Sequence, residues 1–122
     1  MIVEDEMISA LNLIQIAQKE GFSTIGPIST GQQAIETALK EKPDLILMDI
    51  YLRDGIDGIT EVKIIHRDCK IPVIYVTASK EHETMARLGT TEYEEVVYKP
   101  YNNNQMARII SNYADADSGS FR

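Results

Sequence analysis

The sequence predicts an α/β domain in which five parallel strands are covered by helices on both faces. Three observations support this. Short apolar runs alternate with amphipathic segments along the chain, and the loops between them are short. The most apolar runs are almost continuous, as is typical of strands that are buried on both faces of a sheet. A chain of 122 residues is long enough for one such domain.

The first strand and helix are predicted from the start of the chain. Residues 1–3 (MIV) form a short apolar run, and the acidic run EDE follows it. Apolar residues then recur at helical spacing until Gly21 ends the pattern, which predicts a helix over residues 7–20. Because only three residues precede the acidic run, we expect the first strand to be truncated by one to three residues.

The second strand and helix follow. Residues 22–28 (FSTIGPI) favour β-structure, and Pro27 near the end of this segment indicates an edge strand. Thr30 and Gln33 fit a capping box, in which two side chains satisfy free N–H groups at the start of a helix. The sequence therefore predicts a helix over residues 30–42, which ends before the next proline.

The second half of the chain continues the alternation of strands and helices. The apolar runs DLILMD and VIYVT predict buried strands, and the segments around them have helical periodicity. The polar tail at residues 114–122 is expected to fray or to begin a linker, so the domain is assigned to residues 1–113. The remaining predicted elements are strands at 44–49, 73–77 and 96–98 and helices at 59–67, 80–88 and 103–113.

The composition limits the possible classes of function. The chain has 19 acidic and 12 basic residues and a formal charge of −7, which repels phosphate backbones and argues against direct binding of nucleic acid. Its single cysteine, Cys69, cannot form an internal disulfide. We find no signal peptide and no apolar run of membrane length, so a cytoplasmic location without membrane contact is expected.

Reactive polar side chains follow four of the five predicted strands. Right-handed crossovers bring the C-terminal ends of parallel strands to one edge of the sheet, where open α/β proteins bind ligands. We therefore expect residues from distant parts of the chain to meet there. These residues are Glu4 and Asp5 after the first strand, Asp49 after the third, Thr77 after the fourth and Lys99 after the fifth.

Such a cluster could support phosphoryl chemistry. The carboxylates of Glu4, Asp5 and Asp49 would repel one another at contact distance unless a cation lay among them. Oxygen ligands with room for water favour Mg²⁺, with Mn²⁺ as an alternative. Asp49 could then act as a nucleophile toward phosphorus, while the ammonium of Lys99 and the hydroxyl of Thr77 would bind oxygens of the phosphoryl group.

Four segments resemble the response-regulator receiver family of two-component signalling. They are VEDE, LILMDI, VIYVTAS and VVYKPY, and their order and spacing match across essentially the whole chain. The resemblance implies a doubly wound, flavodoxin-like (CheY-like) sheet with the strand order 2-1-3-4-5. It also implies site roles: Asp49 as phosphoacceptor, Glu4, Asp5, Asp49 and the Tyr51 carbonyl as the Mg²⁺ site, and Thr77 and Lys99 as switch residues.

The resemblance further implies a partner and an output. The phosphodonor would be a sensor histidine kinase or a phosphotransfer protein, and phosphorylated Asp49 would switch the face formed by the fourth helix, fifth strand and fifth helix, which could also form a homodimer. Small Ala78 leaves space for the phosphoryl group, and the backbone N–H groups near Ile50 and Ala78 would help to bind it. A cis Lys99–Pro100 bond is also implied. No turnover of an external substrate is expected.

Two positions depart from the family pattern. Many receivers carry an aromatic residue three positions before the lysine, where this chain has Val96. The usual coupling of Thr77 to a switching tyrosine is therefore not expected, although Tyr98 or Tyr101 could substitute. Tyr51, two residues after the phosphoacceptor, is bulky, and we hypothesise that it shields the acyl phosphate from water.

Other functions and simpler structural roles fit parts of the pattern. An FMN-binding flavodoxin-like protein would bind phosphate at its first loop, where the acidic run would repel it. A phosphatase of the haloacid-dehalogenase type would need a second aspartate where Tyr51 stands, and a binding-only pseudo-receiver would not need the complete residue set. The acidic run could be the first turn of a helix, Thr77 a helix cap, Lys99 a surface lysine, and Asp54 and Asp57 turn residues.

Overall fold

A computed structural model describes residues 1–52, 57–78 and 82–113, without the side chain of His82. Strands and helices alternate through these residues, apart from two successive helices near the start. In chain order the elements are β1 (Ile2–Val3), α1 (Met7–Lys19), α2 (Gly31–Glu41), β2 (Ile46–Asp49), α3 (Gly58–Asp68), β3 (Val73–Thr77), α4 (His82–Leu88), β4 (Glu95–Tyr98) and α5 (Asn103–Ser111).

The strands form one parallel sheet in the order β1-β2-β3-β4. The register places Asp49 opposite Val76, and Thr77 opposite Tyr98. Because the strands all run in one direction, their C-terminal residues lie along a single edge of the sheet. The residues that follow each strand are therefore brought to that edge, as the sequence predicts.

The prediction of five strands in the order 2-1-3-4-5 is wrong. The sheet has four strands in the described part of the chain, and residues 22–28 form none of them. This segment does lie beside β1, where Val3 and Ile28 form an isolated parallel bridge. Three backbone hydrogen bonds of 2.8–2.9 Å join the segment to the β1 region. It occupies the flank of β1 without forming a regular strand.

Two residues explain why this segment does not form a strand. Gly26 has a φ of 117°, which lies outside the extended region that a strand requires. Pro27 has no N–H group and cannot donate to a ladder. Regular pairing is interrupted at these two residues and reappears only at Ile28, whose N–H donates to the Ile2 carbonyl at 2.9 Å.

The helices begin close to the predicted positions, and side chains cap the starts of three of them, α2, α3 and α5. The Thr30 hydroxyl accepts the Gln33 N–H at 3.3 Å at the start of α2, which is one half of the expected capping box. The Asp57 carboxylate accepts the Thr60 N–H at 2.9 Å, so Asp57 is the N-cap of α3 rather than only a turn residue. Predictions for Asp54, for the first residues of the 80–88 helix and for the tail at 114–122 fall outside the described residues.

Apolar residues pack on both faces of the sheet, which confirms the doubly wound α/β architecture. Alternate residues of β2 separate into two clusters: Ile46 and Met48 belong to the cluster that includes residues of α2 and α3, and Leu47 belongs to the cluster that includes residues of α1 and α5. Two layers of helices therefore cover the strands. None of the helices in the described ranges combines the length and the apolar character needed to cross a bilayer.

Candidate functional site

Three carboxylates meet at the edge where the strands end. Glu4 and Asp5 follow β1, and Asp49 is the last residue of the neighbouring strand β2. One carboxylate oxygen from each residue lies within 4.8 Å of the others. Glu4 and Asp49 are buried while Asp5 is partly exposed, so the cluster has one side that solvent can reach.

The ammonium group of Lys99 lies against this cluster. Its Nζ donates to Glu4 Oε1 at 2.5 Å and lies 3.6 Å from Asp49 Oδ2. The backbone N–H of Lys99 donates to the Thr77 carbonyl at 2.8 Å, which fixes the residue beside the end of β3. The Lys99–Pro100 peptide bond is cis. One positive charge therefore faces three carboxylates.

The shared environment shifts the pKa values of the cluster in different directions. Burial raises the pKa of Asp49 to about 7, and the adjacent Glu4 adds to the rise. Burial also opposes ionisation of Glu4, but the hydrogen bonds from Lys99 and Asp49 outweigh it and hold the pKa of Glu4 below its usual value. Burial likewise opposes the charge of Lys99, yet its bond to Glu4 and the charge of Asp49 raise its pKa. Glu4 and Lys99 thus form an ion pair, while Asp49 takes up a proton near neutral pH.

The donor set fits a hard divalent cation. Its groups are oxygen ligands, and the partly exposed Asp5 leaves room for water, as Mg²⁺ requires. Burial and the adjacent Glu4 raise the pKa of Asp49 by more than the charge of Lys99 lowers it. A bound divalent cation would favour the deprotonated form of Asp49.

The two carboxylate oxygens of Asp49 have different surroundings. Oδ1 accepts the backbone N–H of Tyr51 at 3.3 Å, whereas Oδ2 is the oxygen nearest to Lys99 Nζ. The start of α3 is also close, because Gly58 has no side chain: a Cβ there would lie 2.4 Å from the Asp49 carbonyl oxygen. The Gly58 N–H donates to the Ile50 carbonyl at 2.6 Å, which joins the start of α3 to the residue after Asp49.

The other predicted site residues lie around Asp49. Thr77 is fully buried at the end of β3, one residue beyond the register partner of Asp49. Ala78 follows it, is exposed, and lines a cavity of about 520 Å³ together with Lys99 and Ile8. Ile50 is fully buried and follows Asp49 directly. The structure therefore arranges all of these residues at one end of three adjacent strands.

The side-chain links that Thr84 and Arg87 of α4 make to the β2–α3 region are absent from the sequence-based prediction. The Tyr51 hydroxyl is hydrogen-bonded to Thr84 Oγ1, and Arg87 forms a two-pronged ion pair with Asp57 at 2.6 and 3.0 Å. The spacing of Asp57 and Thr60 at a helix start is an N-cap signal that could have been recognised. The Arg87 and Thr84 contacts join residues at least 30 positions apart, for which one sequence has no local signal.

Comparison with known families identifies the domain. The family model described as the response regulator receiver domain matches residues 1–111. The chain belongs to this receiver family. A curated relative, the transcriptional regulatory protein PdtaR of Mycobacterium tuberculosis, is 30% identical over 112 residues, which are 90% of this chain and 53% of PdtaR. The phyllosphere-induced regulator PhyR of Methylorubrum extorquens is 33% identical over 115 residues, 91% of this chain and 41% of PhyR. The receiver thus spans about half the length of these relatives.

Solved receiver structures have the same fold. The signal receiver domain of a modulated diguanylate cyclase from Desulfovibrio desulfuricans G20 superposes with a TM-score of 0.83 at 28% identity, covering 92% of this chain and 89% of that one. The anti-anti-sigma factor PhyR from Bartonella quintana gives 0.78 at 33% identity, covering 93% and 46%. The response regulator domain of CheB from Thermotoga maritima gives 0.77 at 25%, covering 95% of both chains. These similarities confirm the receiver fold that the sequence motifs indicate.

Proposed function

We propose that this receiver accepts a phosphoryl group on Asp49 from a phosphohistidine, in a reaction that requires Mg²⁺. One observation carries the proposal: the oxygens of Glu4, Asp5 and Asp49 lie within 4.8 Å of one another, and Lys99 Nζ lies 3.6 Å from Asp49 Oδ2. A buried carboxylate beside an ammonium and a cation-binding oxygen set has the parts that aspartyl-phosphate chemistry needs. Membership of the receiver family supports the same assignment.

The carboxylates of Asp5 and Asp49, with the Tyr51 carbonyl, would hold the divalent cation, and Mn²⁺ could replace Mg²⁺. Both oxygens of Glu4 already accept hydrogen bonds, Oε1 from Lys99 and Oε2 from a backbone N–H at 3.2 Å. We therefore assign Glu4 a supporting role, in which it positions Lys99 and adds negative charge beside the ion. When bound, the cation neutralises charge on the transferring phosphoryl group.

In the transfer step, Asp49 Oδ2 would attack phosphorus as the bond from phosphorus to the donor histidine nitrogen breaks. The leaving nitrogen keeps the electron pair of that bond and takes up a proton from solvent. Asp49 must be deprotonated to attack, and its pKa of about 7 makes this condition sensitive to pH and to the cation. Hydrolysis later reverses the modification, when water attacks phosphorus and the bond from Asp49 to phosphorus breaks.

The phosphoryl group would draw the surrounding donors toward Asp49. It adds a charge of roughly −1.5 to −2, which competes with Glu4 for the ammonium of Lys99. The Thr77 hydroxyl and the backbone N–H groups of Ile50 and Ala78 would donate to its remaining oxygens. Movement of Thr77 and Lys99 at the ends of β3 and β4 would then alter the face of α4, β4 and α5, which is the face assigned to the output.

A sensor histidine kinase or phosphotransfer protein is the proposed donor, with action in the cytoplasm. A second copy of the chain could bind through the face of α4, β4 and α5. One relative is named a transcriptional regulatory protein and a similar structure is an anti-anti-sigma factor. These names support a regulatory output that parts outside this receiver, or a partner, would carry out.

The test is treatment with acetyl phosphate and Mg²⁺, followed by the mass of the intact protein. We expect the wild type to gain one phosphoryl group, and chelation of the cation with EDTA to prevent the gain. Asp49→Asn should gain none, whereas Asp44→Asn, which changes an exposed aspartate near the opposite end of β2, should be labelled like the wild type. Labelled Asp49→Asn, or a wild type that neither acetyl phosphate nor a phosphohistidine donor modifies, would refute the assignment.

A further inference from the structure

Tyr51 connects the phosphoacceptor to α4 through its two ends. Its backbone N–H donates to Asp49 Oδ1 at 3.3 Å, and its phenol is hydrogen-bonded to Thr84 Oγ1. Thr84 lies in α4 and is only 3% exposed, whereas Tyr51 is 48% exposed. A half-exposed tyrosine ring usually exchanges between rotamers in solvent. Here the hydroxyl of a buried residue of α4 is hydrogen-bonded to its far end.

We propose that Thr84 is a positioning residue for the phosphorylation site. Its hydrogen bond holds the Tyr51 ring across the gap between Asp49 and α4, where the ring limits the access of water to a phosphoryl group on Asp49. The proposal rests on the proposed phosphorylation of Asp49. It assigns a role in that reaction to a residue that lies outside the strand-end motifs.

The same hydrogen bond makes α4 and the phosphoryl group dependent on each other. If the position of α4 determines where the Tyr51 ring lies, a partner that binds α4 and displaces Thr84 shortens the lifetime of the phosphoryl group. By thermodynamic reciprocity, a phosphoryl group that displaces the ring changes the affinity of α4 for that partner.

A second anchor of α4 makes the proposal testable. Arg87 is paired with Asp57 at 2.6 and 3.0 Å and also donates to the Thr60 hydroxyl at 3.3 Å. These contacts hold α4 to the start of α3 without involving Tyr51. Removal of the Arg87 side chain should therefore loosen α4 at least as much as removal of the Thr84 hydroxyl, but it should leave the ring in place.

The experiment follows the loss of the phosphoryl group by intact mass after acetyl phosphate is removed. Thr84→Val keeps the shape of the side chain, and Tyr51→Phe keeps the ring on a half-exposed residue, so both variants should fold. We expect each to lose the phosphoryl group about 2 to 10 times faster than the wild type. This rate ratio corresponds to the free energy of one neutral hydrogen bond. The double variant should be no faster than the faster single variant.

Two further variants serve as controls. Thr84→Ser restores a hydroxyl and should restore the lifetime, and Arg87→Met should leave the lifetime at the wild-type value. Hydrogen exchange provides a readout without cation or phosphate: Tyr51→Phe should speed amide exchange in the peptide that contains Thr84.

Three results would overturn the proposal. The first is an unchanged lifetime of the phosphoryl group in both Thr84→Val and Tyr51→Phe. The second is a double variant in which the two accelerations multiply. The third is an Arg87→Met variant that loses the phosphoryl group as fast as Thr84→Val, which would indicate general loosening of α4. A wild type that is never phosphorylated would instead overturn the proposed function, and this inference with it. The two failures are therefore distinguishable.

Discussion

The ionisation of Asp49 leads to a quantitative prediction for Asp49→Asn in the absence of divalent cations. The pKa of Asp49 rises from 3.8 to about 7 on folding, because the carboxyl is buried beside Glu4. Between these two pH values the folded protein holds a proton that the unfolded chain releases, so stability falls as pH rises from about 4 to about 7. The shift corresponds to a loss of the order of 4 kcal/mol. Asparagine remains neutral at all these pH values, and the variant should not show this loss.

The assay is urea unfolding in EDTA at several pH values between 4 and 8. We expect the free energy of unfolding of Asp49→Asn, relative to the wild type, to increase by a few kcal/mol over this range. Asp68→Asn removes one negative charge at an exposed site on α3, away from the cluster, and controls for the change in net charge. The difference in free energy of unfolding between Asp68→Asn and the wild type should vary with pH far less than that of Asp49→Asn. Added Mg²⁺ should stabilise the wild type at pH 8 and have little effect on Asp49→Asn.

Asp49→Asn and the wild type could instead differ in free energy of unfolding by the same amount at every pH from 4 to 8, and that result would refute the prediction. It would mean that Asp49 ionises in the folded protein as it does in the unfolded chain. Burial and the neighbouring Glu4 would then not disfavour the charged form of Asp49 in the folded protein. A variant that was less stable than the wild type at pH 8 without cations would contradict the account as well.

Two further substitutions test the surroundings of Asp49. Lys99→Met removes the ammonium group that is bonded to buried Glu4 at 2.5 Å. Urea unfolding at pH 7 should therefore show a free energy of unfolding that is lower by about 2 kcal/mol or more. Substitution of Glu4 by Gln in the same chain should recover part of this loss. Equal stability of Lys99→Met and the wild type would contradict the ion pair. Gly58→Ala places a Cβ 2.4 Å from the Asp49 carbonyl oxygen and should lower the thermal midpoint, with a cost of about 1–3 kcal/mol, and slow phosphorylation. The matched control is Gly89→Ala, whose Cβ would lie 3.5 Å from the Ala86 carbonyl oxygen, an ordinary contact distance. An equal loss in both variants would argue against a special role for Gly58.

The sequence predicts the central part of this fold well because burial determines it. The run at residues 44–49 and the VIYVT segment are apolar on both faces, and β2 and β3 form within them as fully buried strands. The edge segment at 22–28 has β-favouring residues too, but its pairing depends on individual backbone groups. Gly26 and Pro27 interrupt that pairing, and one isolated bridge replaces the expected strand. Propensity averages over residues and does not detect such an interruption.

In the candidate site, the sequence predicts which residues meet but not the details of their side-chain contacts. Strand polarity alone predicts that Glu4, Asp49 and Lys99 meet, because each follows a strand that ends at one edge. Side-chain rotamers determine which oxygen of Glu4 accepts the hydrogen bond from Lys99. The hydrogen bond between the Tyr51 hydroxyl and Thr84 depends in addition on the placement of α4. These details follow from tertiary packing, which no spacing in the sequence encodes.

A crystal structure with Mg²⁺ and beryllofluoride, an analogue of the phosphoryl group, would show whether Asp49 is the phosphoacceptor. We predict that the analogue is bonded to Asp49 Oδ2, that the cation lies on Asp5, Asp49 and the Tyr51 carbonyl, and that Lys99 Nζ has moved from Glu4 to a fluoride. A structure in which the analogue and the cation are bound away from Asp49, or in which Lys99 still contacts only Glu4, would contradict the account.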